Sequence, residues 1–195
     1  MVNRSETDIL VEFVKRLKPK RTLEVGCNSG KELEFIKDFT KTFGIDKNIE
    51  LVKGKKNLKC AYGEEIPYGN NSFDLVYTDG CLSHNEVPEP ILDEMVRVSK
   101  NKILLIEWIG SKTGTSGYSN CKVGLSWIHD YEKLIAVKKI KILFSRQIVF
   151  GYDLFHVILM EKDKRKITKI VEKIPEKKSP LLSINFWKFK FEVGK

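Results

Sequence analysis

The sequence is poor in the residues that staple small folds or gather metals, with four cysteines and three histidines in 195 residues. Cys27, Cys60, Cys81 and Cys121 are scattered and form no C-x-x-C pair. Neither a disulfide framework nor a metal site is expected, and a reducing cytoplasmic setting is the default. No apolar run approaches the length of a membrane span, and the polar N-terminus has no signal-peptide core, so no membrane partner is expected. Repeats and low-complexity segments are absent as well. A length of 195 residues, 42% hydrophobic and 31% charged, fits a globular chain with one full core and no room for two large ones.

Acidic residues are scarce at one end. From Asp163 onward ten basic residues face four acidic ones, so this stretch carries +6 of the formal net charge of +9. An argument for nucleic-acid binding from overall charge is therefore an argument about the tail. Two regions follow: a domain over 1–162 and a basic, aromatic extension over 163–195. In the extension, Trp187, Phe189, Phe191 and Val193 alternate with Lys188 and Lys190. That pattern suits a strand or arm packed on the domain or on a second subunit, or an RNA-binding surface that stacks bases and pairs phosphates.

What the chain does have is R-T-L-E-V-G-C-N-S-G-K from Arg21 to Lys31. Thr22 to Val25 suits a buried parallel strand, Gly26 to Gly30 breaks it, and a helix is expected from Lys31 to Lys41 with Leu33, Ile36 and Phe39 buried. Strand, glycine turn and helix make the first crossover of a nucleotide-binding fold, with bare backbone at Gly26 and Gly30 open to a ligand. A dinucleotide fingerprint needs G-x-G-x-x-G; here the spacing is G-x-N-x-G, and the third glycine is missing. Asp46 stands 20 residues after Gly26 and ends a second strand, Thr42 to Asp46. A carboxylate there can accept from both hydroxyls of a ribose, or it can simply cap the next helix.

Further along, Ile9, Leu10, Phe13, Val14 and Leu17 form one face of a leading helix capped by Ser5. A clipped helix is expected between Asn48 and Lys59, then a third strand from Leu58 to Tyr62. The fourth strand is Phe73 to Thr78, a helix follows Pro88, and Lys102 to Trp108 is a buried fifth strand. From Gly110 to Ser126 the chain lacks periodicity and reads as a lid or binding loop. Ser126 is expected to cap a helix carrying Trp127, Tyr131, Leu134 and Ile135. Ile140 to Phe150 and Asp153 to Glu161 read as a closing pair of strands.

The segment E-V-G-C-N-S-G resembles motif I of the class I S-adenosylmethionine-dependent methyltransferases, through Glu24, Gly26 and Gly30. Asn28 stands where that family more often has glycine, a mild departure because asparagine tolerates left-handed backbone. G-I-D at 44–46 is similar to the family's motif II, and F-D-L-V at 73–76 to its fourth strand. The resemblance implies a Rossmann-like α/β fold: a seven-stranded, mostly parallel sheet with an antiparallel last strand and helices on both faces. It implies S-adenosyl-L-methionine as cofactor, held by Glu24, Gly26, Asn28, Gly30, Asp46, Tyr62, Gly63 and Thr78. Tyr62 and Gly63 replace the family's usual Asp-Ala, so an aromatic face and an amide are expected to meet the adenine.

A sulfonium methyl is already activated, so the protein mainly aligns a nucleophile with it and supplies a base where the acceptor needs one. Asp79 and His84, beyond the fourth strand, and His129, beside the lid, are the candidate catalytic groups. Each can equally be a structural residue of its loop, and His156 is expected to be structural. The runs D-G-C-L-S-H and R-V-S-K look most like small methylases associated with pseudaminic acid biosynthesis. That likeness implies a sugar, sugar nucleotide or other small polar acceptor. An RNA or protein acceptor guided by the tail is a second reading, and a non-catalytic module that keeps the fold is a third.

Overall fold

The computed structural model describes residues 6–111, 120–121, 124–138, 140–150 and 153–162. The chain runs α1 (Glu6–Leu17), β1 (Arg21–Val25), α2 (Lys31–Ile36), β2 (Lys41–Asp46), α3 (Ile49–Val52) and β3 (Leu58–Cys60). It continues through β4 (Phe73–Asp79), a 3-10 turn (Leu82–His84), α4 (Glu89–Val98) and β5 (Ser99–Ser111). A short ribbon, β6 (Asn120–Cys121) with β7 (Gly124–Leu125), precedes α5 (Tyr131–Ala136), β8 (Lys141–Phe150) and β9 (Asp153–Glu161). Seven strands form one sheet in the order β3-β2-β1-β4-β5-β9-β8. The first five run parallel, while β9 is antiparallel to both β5 and β8.

Strand order reverses between β1 and β4, and in open α/β sheets ligands bind at the carboxyl ends of the strands beside such a reversal. Both faces of the sheet are covered, as central strands rich in Val, Ile and Leu require. On one face Leu23, Val25, Ile103, Leu105 and Ile158 pack with Ile91, Leu92 and Met95 of α4 and with Tyr131 and Ile135 of α5. On the other, Leu104, Ile106, Val157 and Leu159 pack with Leu10, Phe13 and Val14 of α1 and Leu33 and Ile36 of α2. A buried Lys102–Glu161 ion pair (2.5 Å) ties β5 to β9 inside this frame.

Several expected boundaries move. The helix expected to reach Lys41 stops at Ile36, because Lys41 is claimed by strand pairing opposite Arg21. Phe39 is consequently 45% exposed, with the Lys15 ammonium 4.9 Å from its ring centroid. Ser126 does not cap the helix after the lid; Asp130 does, its side chain accepting from the Lys133 amide at 3.0 Å. Replacing Asp130 by Ala should cost about 1 kcal/mol, a fall of about 2–4 °C in melting temperature for a chain of this size. Thermal unfolding of the variant checks it. Among the described residues no helix is long and apolar enough to cross a membrane. The expected Ser5 cap, most of the lid, Cys121's side chain and the 163–195 extension lie outside the described residues.

Candidate active site

The bend after β1 is a run of alternating left-handed residues. Gly26, Asn28 and Gly30 have φ of 77°, 49° and 78°, so Asn28 takes the conformation that its replacement of glycine requires. Hydrogen bonds lock the bend to β2: the amides of Gly26 and Cys27 both donate to the Ile45 carbonyl at 2.9 Å. The Gly30 amide closes the turn on the Cys27 carbonyl at 2.7 Å, and Lys55 Nζ donates to the Ser29 carbonyl at 2.5 Å.

At both glycines the direction a Cβ would take is occupied by the chain itself. A Cβ on Gly26 would stand 2.5 Å from Cys81 Sγ, and one on Gly30 would stand 2.9 Å from a Leu58 methyl carbon. The space beside both glycines is therefore filled by the chain's own side chains. Gly26 lets the β1 bend and the β4 loop approach each other, which brings the two halves of the crevice together.

Asp46, at the end of β2, spans the crevice floor. Its Oδ2 accepts from the Asn28 amide at 2.8 Å and its Oδ1 from the Asn48 amide at 2.9 Å. Asn48, not Asp46, caps α3, accepting from the Glu50 amide at 3.1 Å. Each carboxylate oxygen of Asp46 has two lone-pair directions, so one per oxygen is left for a ligand's hydroxyls. Under the bend lies Glu24, buried, with Oε2 unpartnered. Burial, reinforced by Glu32, Asp79 and Asp46, pushes its carboxyl well above the usual range, against the effect of Tyr77 beside it.

On the opposite flank Tyr62 follows β3 and is 65% exposed, its ring available to a stacking partner. Gly63 sits close against Ile91 and Val25. A shallow cavity of about 580 Å³ opens beside Tyr62 and is walled by Glu64, Ile66, Glu94 and Arg97. Neither Gly26 nor Asp46 lines it. Its wall is rigid: Arg97 pairs with Glu94 at 2.6 Å and donates to the Ile66 and Tyr68 carbonyls at 2.9 and 2.8 Å.

Beyond β4, residues 80–85 turn back over the strand ends and the 126–129 segment docks on them. The Trp127 amide donates to the Ser83 carbonyl at 2.6 Å, and His129 Nε2 donates to the Asn85 carbonyl at 2.8 Å. Ser126 Oγ is 3.4 Å from His84 Nδ1. Two of the three candidate catalytic residues, His84 and His129, thus lie on the two sides of one seam, while Asp79 ends β4 close enough to raise the Glu24 pKa. Burial and the Lys47 ammonium hold His84 below its ordinary value, so it is neutral at pH 7. His129 spends Nε2–H on a carbonyl and serves to hold the segment. Thr78 is fully buried with its hydroxyl beside Glu107, so only its backbone can reach the crevice.

Sequence reasoning missed Glu107. Glu107 is fully buried near the carboxyl end of β5, and its Oε2 accepts from the Ser83 amide at 3.1 Å. The available signal was one acid closing the otherwise apolar run I-L-L-I-E. His156, read from the sequence as structural, lies on β9 with Nε2 2.7 Å from Ser145 Oγ.

Parallel order, the reversal at β1/β4 and the antiparallel β9 define the class I S-adenosylmethionine-dependent methyltransferase fold. Residues 23–106 match the family described as a methyltransferase domain. An uncharacterized protein of Methanocaldococcus jannaschii is 34% identical over 95 residues, spanning 46% of this chain and 45% of its own. Norajmaline N-methyltransferase of Rauvolfia serpentina is 33% identical over 101 residues, 42% of this chain and 33% of its own. The chain thus spans less than half the length of these curated relatives. A S-adenosylmethionine-dependent methyltransferase structure from Methanosarcina mazei superposes with a TM-score of 0.61 at 20% identity, covering 73% of this chain and 92% of that one. The [4+2]-cyclase SpnF superposes with a TM-score of 0.64 at 16% identity, covering 80% of each.

Proposed function

We propose that the chain is a S-adenosylmethionine-dependent methyltransferase acting on a small polar acceptor, of which a sugar or sugar nucleotide is the class suggested by the C-L-S-H and R-V-S runs. The observation that carries this reading is the Asp46 clamp. One carboxylate holds the left-handed bend and the start of α3 together, and still offers a lone pair on each oxygen where the strand order reverses. Such a group suits a ribose diol. The unpartnered Glu24 Oε2 below the bend and the exposed Tyr62 ring on the flank fit the polar and aromatic parts of the same nucleoside.

When bound, S-adenosylmethionine supplies an activated methyl on a sulfonium. The chain's own residues bind and align. Asp46 would fix the ribose, Asn28 and Gly30 shape the backbone around the cofactor's tail, and Tyr62 and Gly63 would flank the ring. On the acceptor side, His84 is neutral at pH 7 and able to take a proton from a hydroxyl or an ammonium, with Asp79 beside the same turn. His129 positions the covering segment.

A second reading replaces the small acceptor by RNA or protein, favoured by the +6 charge that the 163–195 extension carries. Removing 163–195 separates the two: salt-sensitive RNA binding would be lost under the second and turnover of a small acceptor unchanged under the first. A third reading, a binding module without methyl transfer, keeps the fold, which hosts other chemistry in SpnF. Titration calorimetry with S-adenosylmethionine and S-adenosylhomocysteine is the direct test, with binding in the micromolar range expected. No heat at millimolar cofactor would remove both enzyme readings. Labelled S-adenosylmethionine incubated with cell extracts would then identify the acceptor.

A further inference from the structure

We infer that Glu107 is a positioning residue for the acceptor side: its carboxylate holds the turn at 80–84, and through that turn the covering segment at 126–129. That this is the acceptor side rests on the methyltransferase reading; the mechanical linkage does not. Glu107 lies near the carboxyl end of β5, is fully buried, and accepts from the Ser83 amide at 3.1 Å. The amides of Cys81 and Leu82 also favour its charged form, so three successive backbone donors face one carboxylate. The turn hands this grip on. The Ser83 carbonyl takes the Trp127 amide at 2.6 Å, and the Asn85 carbonyl takes His129 Nε2 at 2.8 Å.

A carboxyl buried among Ile, Leu and Tyr is costly to keep when an apolar residue would pack there at no electrostatic cost. The Thr78 hydroxyl beside the carboxylate favours its charged form as well, although neither it nor Oε1 makes a well-formed hydrogen bond, and the buried Tyr131 Oη has no partner. The titratable groups facing Glu107 are the Cys81 thiol on the turn, the Tyr131 phenol on α5 and His156, its cross-strand partner on β9. No cationic partner for Glu107 occurs among the described residues, and burial pushes its carboxyl up to about 7.

Two opposite pH signs follow. The folded-state value lies above the ordinary value of 4.5, so this group's contribution to global stability declines as pH rises from about 4.5 to about 7. The grip on the turn does the reverse, because only the carboxylate accepts strongly from the amides. A residue that merely filled the core would show the first trend without the second.

Hydrogen exchange on the full chain, corrected for intrinsic rates, tests this between about pH 6 and about pH 8. Protection of the Ser83 and Trp127 amides should rise several-fold across that range, with a midpoint near 7. Burial holds His84 and His156 below their ordinary value, so a midpoint near 7 distinguishes Glu107 from both. In Glu107→Gln the rise should vanish while amides of β1 and β4 stay protected; in Glu107→Asp it should be reduced but present. PH-independent protection in the wild type, or an unchanged rise in Glu107→Gln, would overturn the inference. Should Glu107→Gln fail to fold, the wild-type midpoint and Glu107→Asp decide. Calorimetry with S-adenosylmethionine on the same proteins keeps the two questions apart. A wild type that binds no cofactor but shows the rise sinks the enzyme reading alone, and one that binds cofactor without the rise sinks only this inference.

Discussion

Gly26→Ala should lower the melting temperature by about 5–15 °C and weaken S-adenosylmethionine binding by at least about tenfold. Two costs act on the one added carbon. The backbone at Gly26 has φ of 77°, where an alanine costs about 1–2 kcal/mol. The new Cβ would also stand 2.5 Å from Cys81 Sγ and 2.8 Å from Cys81 Cβ, so one of the two loops must move. Overpacking of this kind costs about 1–3 kcal/mol. Any such movement disturbs the 2.8 Å contact between the Asn28 amide and Asp46, because Asn28 is two residues further along the same bend. The second site offers a control. Cys81→Gly in the Gly26→Ala background removes both clashing atoms and leaves the backbone cost, so it should recover the packing share of the loss and no more. Thermal unfolding and calorimetry of the single and double variants check this, and an unchanged melting temperature in Gly26→Ala would refute the packing account.

That experiment also marks the boundary of what the sequence could convey. Gly26, Asn28 and Gly30 are legible as a bend because their residue types permit left-handed backbone, and all three adopt it. The partner of Gly26 is not legible, because Cys81 lies 55 residues away and reaches it only once β1 and β4 pair. Local periodicity located α1, the clipped α3 and the closing strands β8 and β9, whose apolar patterns are long or well bounded. It overextended α2, because Phe39 continues the helical stripe and nothing local announces that Lys41 will pair with β1. Ser126 and Asp130 are both good caps in isolation. The choice between them is tertiary: Ser126 and Trp127 are held against the 83–84 turn. Glu107 escaped notice for a similar reason. An acid at the end of a strand is ordinary in sequence, and only the fold reveals that the β4 loop closes over it.

Asp46 carries the most direct test of the proposed site, because in that proposal it would join the chain's own architecture to the ligand. Asp46→Ala removes the acceptor for two backbone amides, Asn28 and Asn48, and with it a side chain that bridges the bend and the start of α3. Hydrogen bonds to a charged group are worth about 1.5–3 kcal/mol each, and the ribose contacts would be of that kind. Cofactor affinity should therefore fall by about a hundredfold, about 2.8 kcal/mol. Asp46→Asn keeps the shape and one oxygen but turns an amide N–H₂ toward one of the backbone donors, so a loss of about tenfold is expected. These losses alone cannot separate a broken ribose contact from a slackened bend. A ligand lacking both ribose hydroxyls does so, since it cannot use Asp46 directly. Binding of that dideoxy analogue should be weak in the wild type and little changed by Asp46→Ala, giving a large coupling in the cycle formed by the two proteins and two ligands. Equal losses for both ligands would mean that Asp46 acts only through the bend, and the ribose role would have to be abandoned.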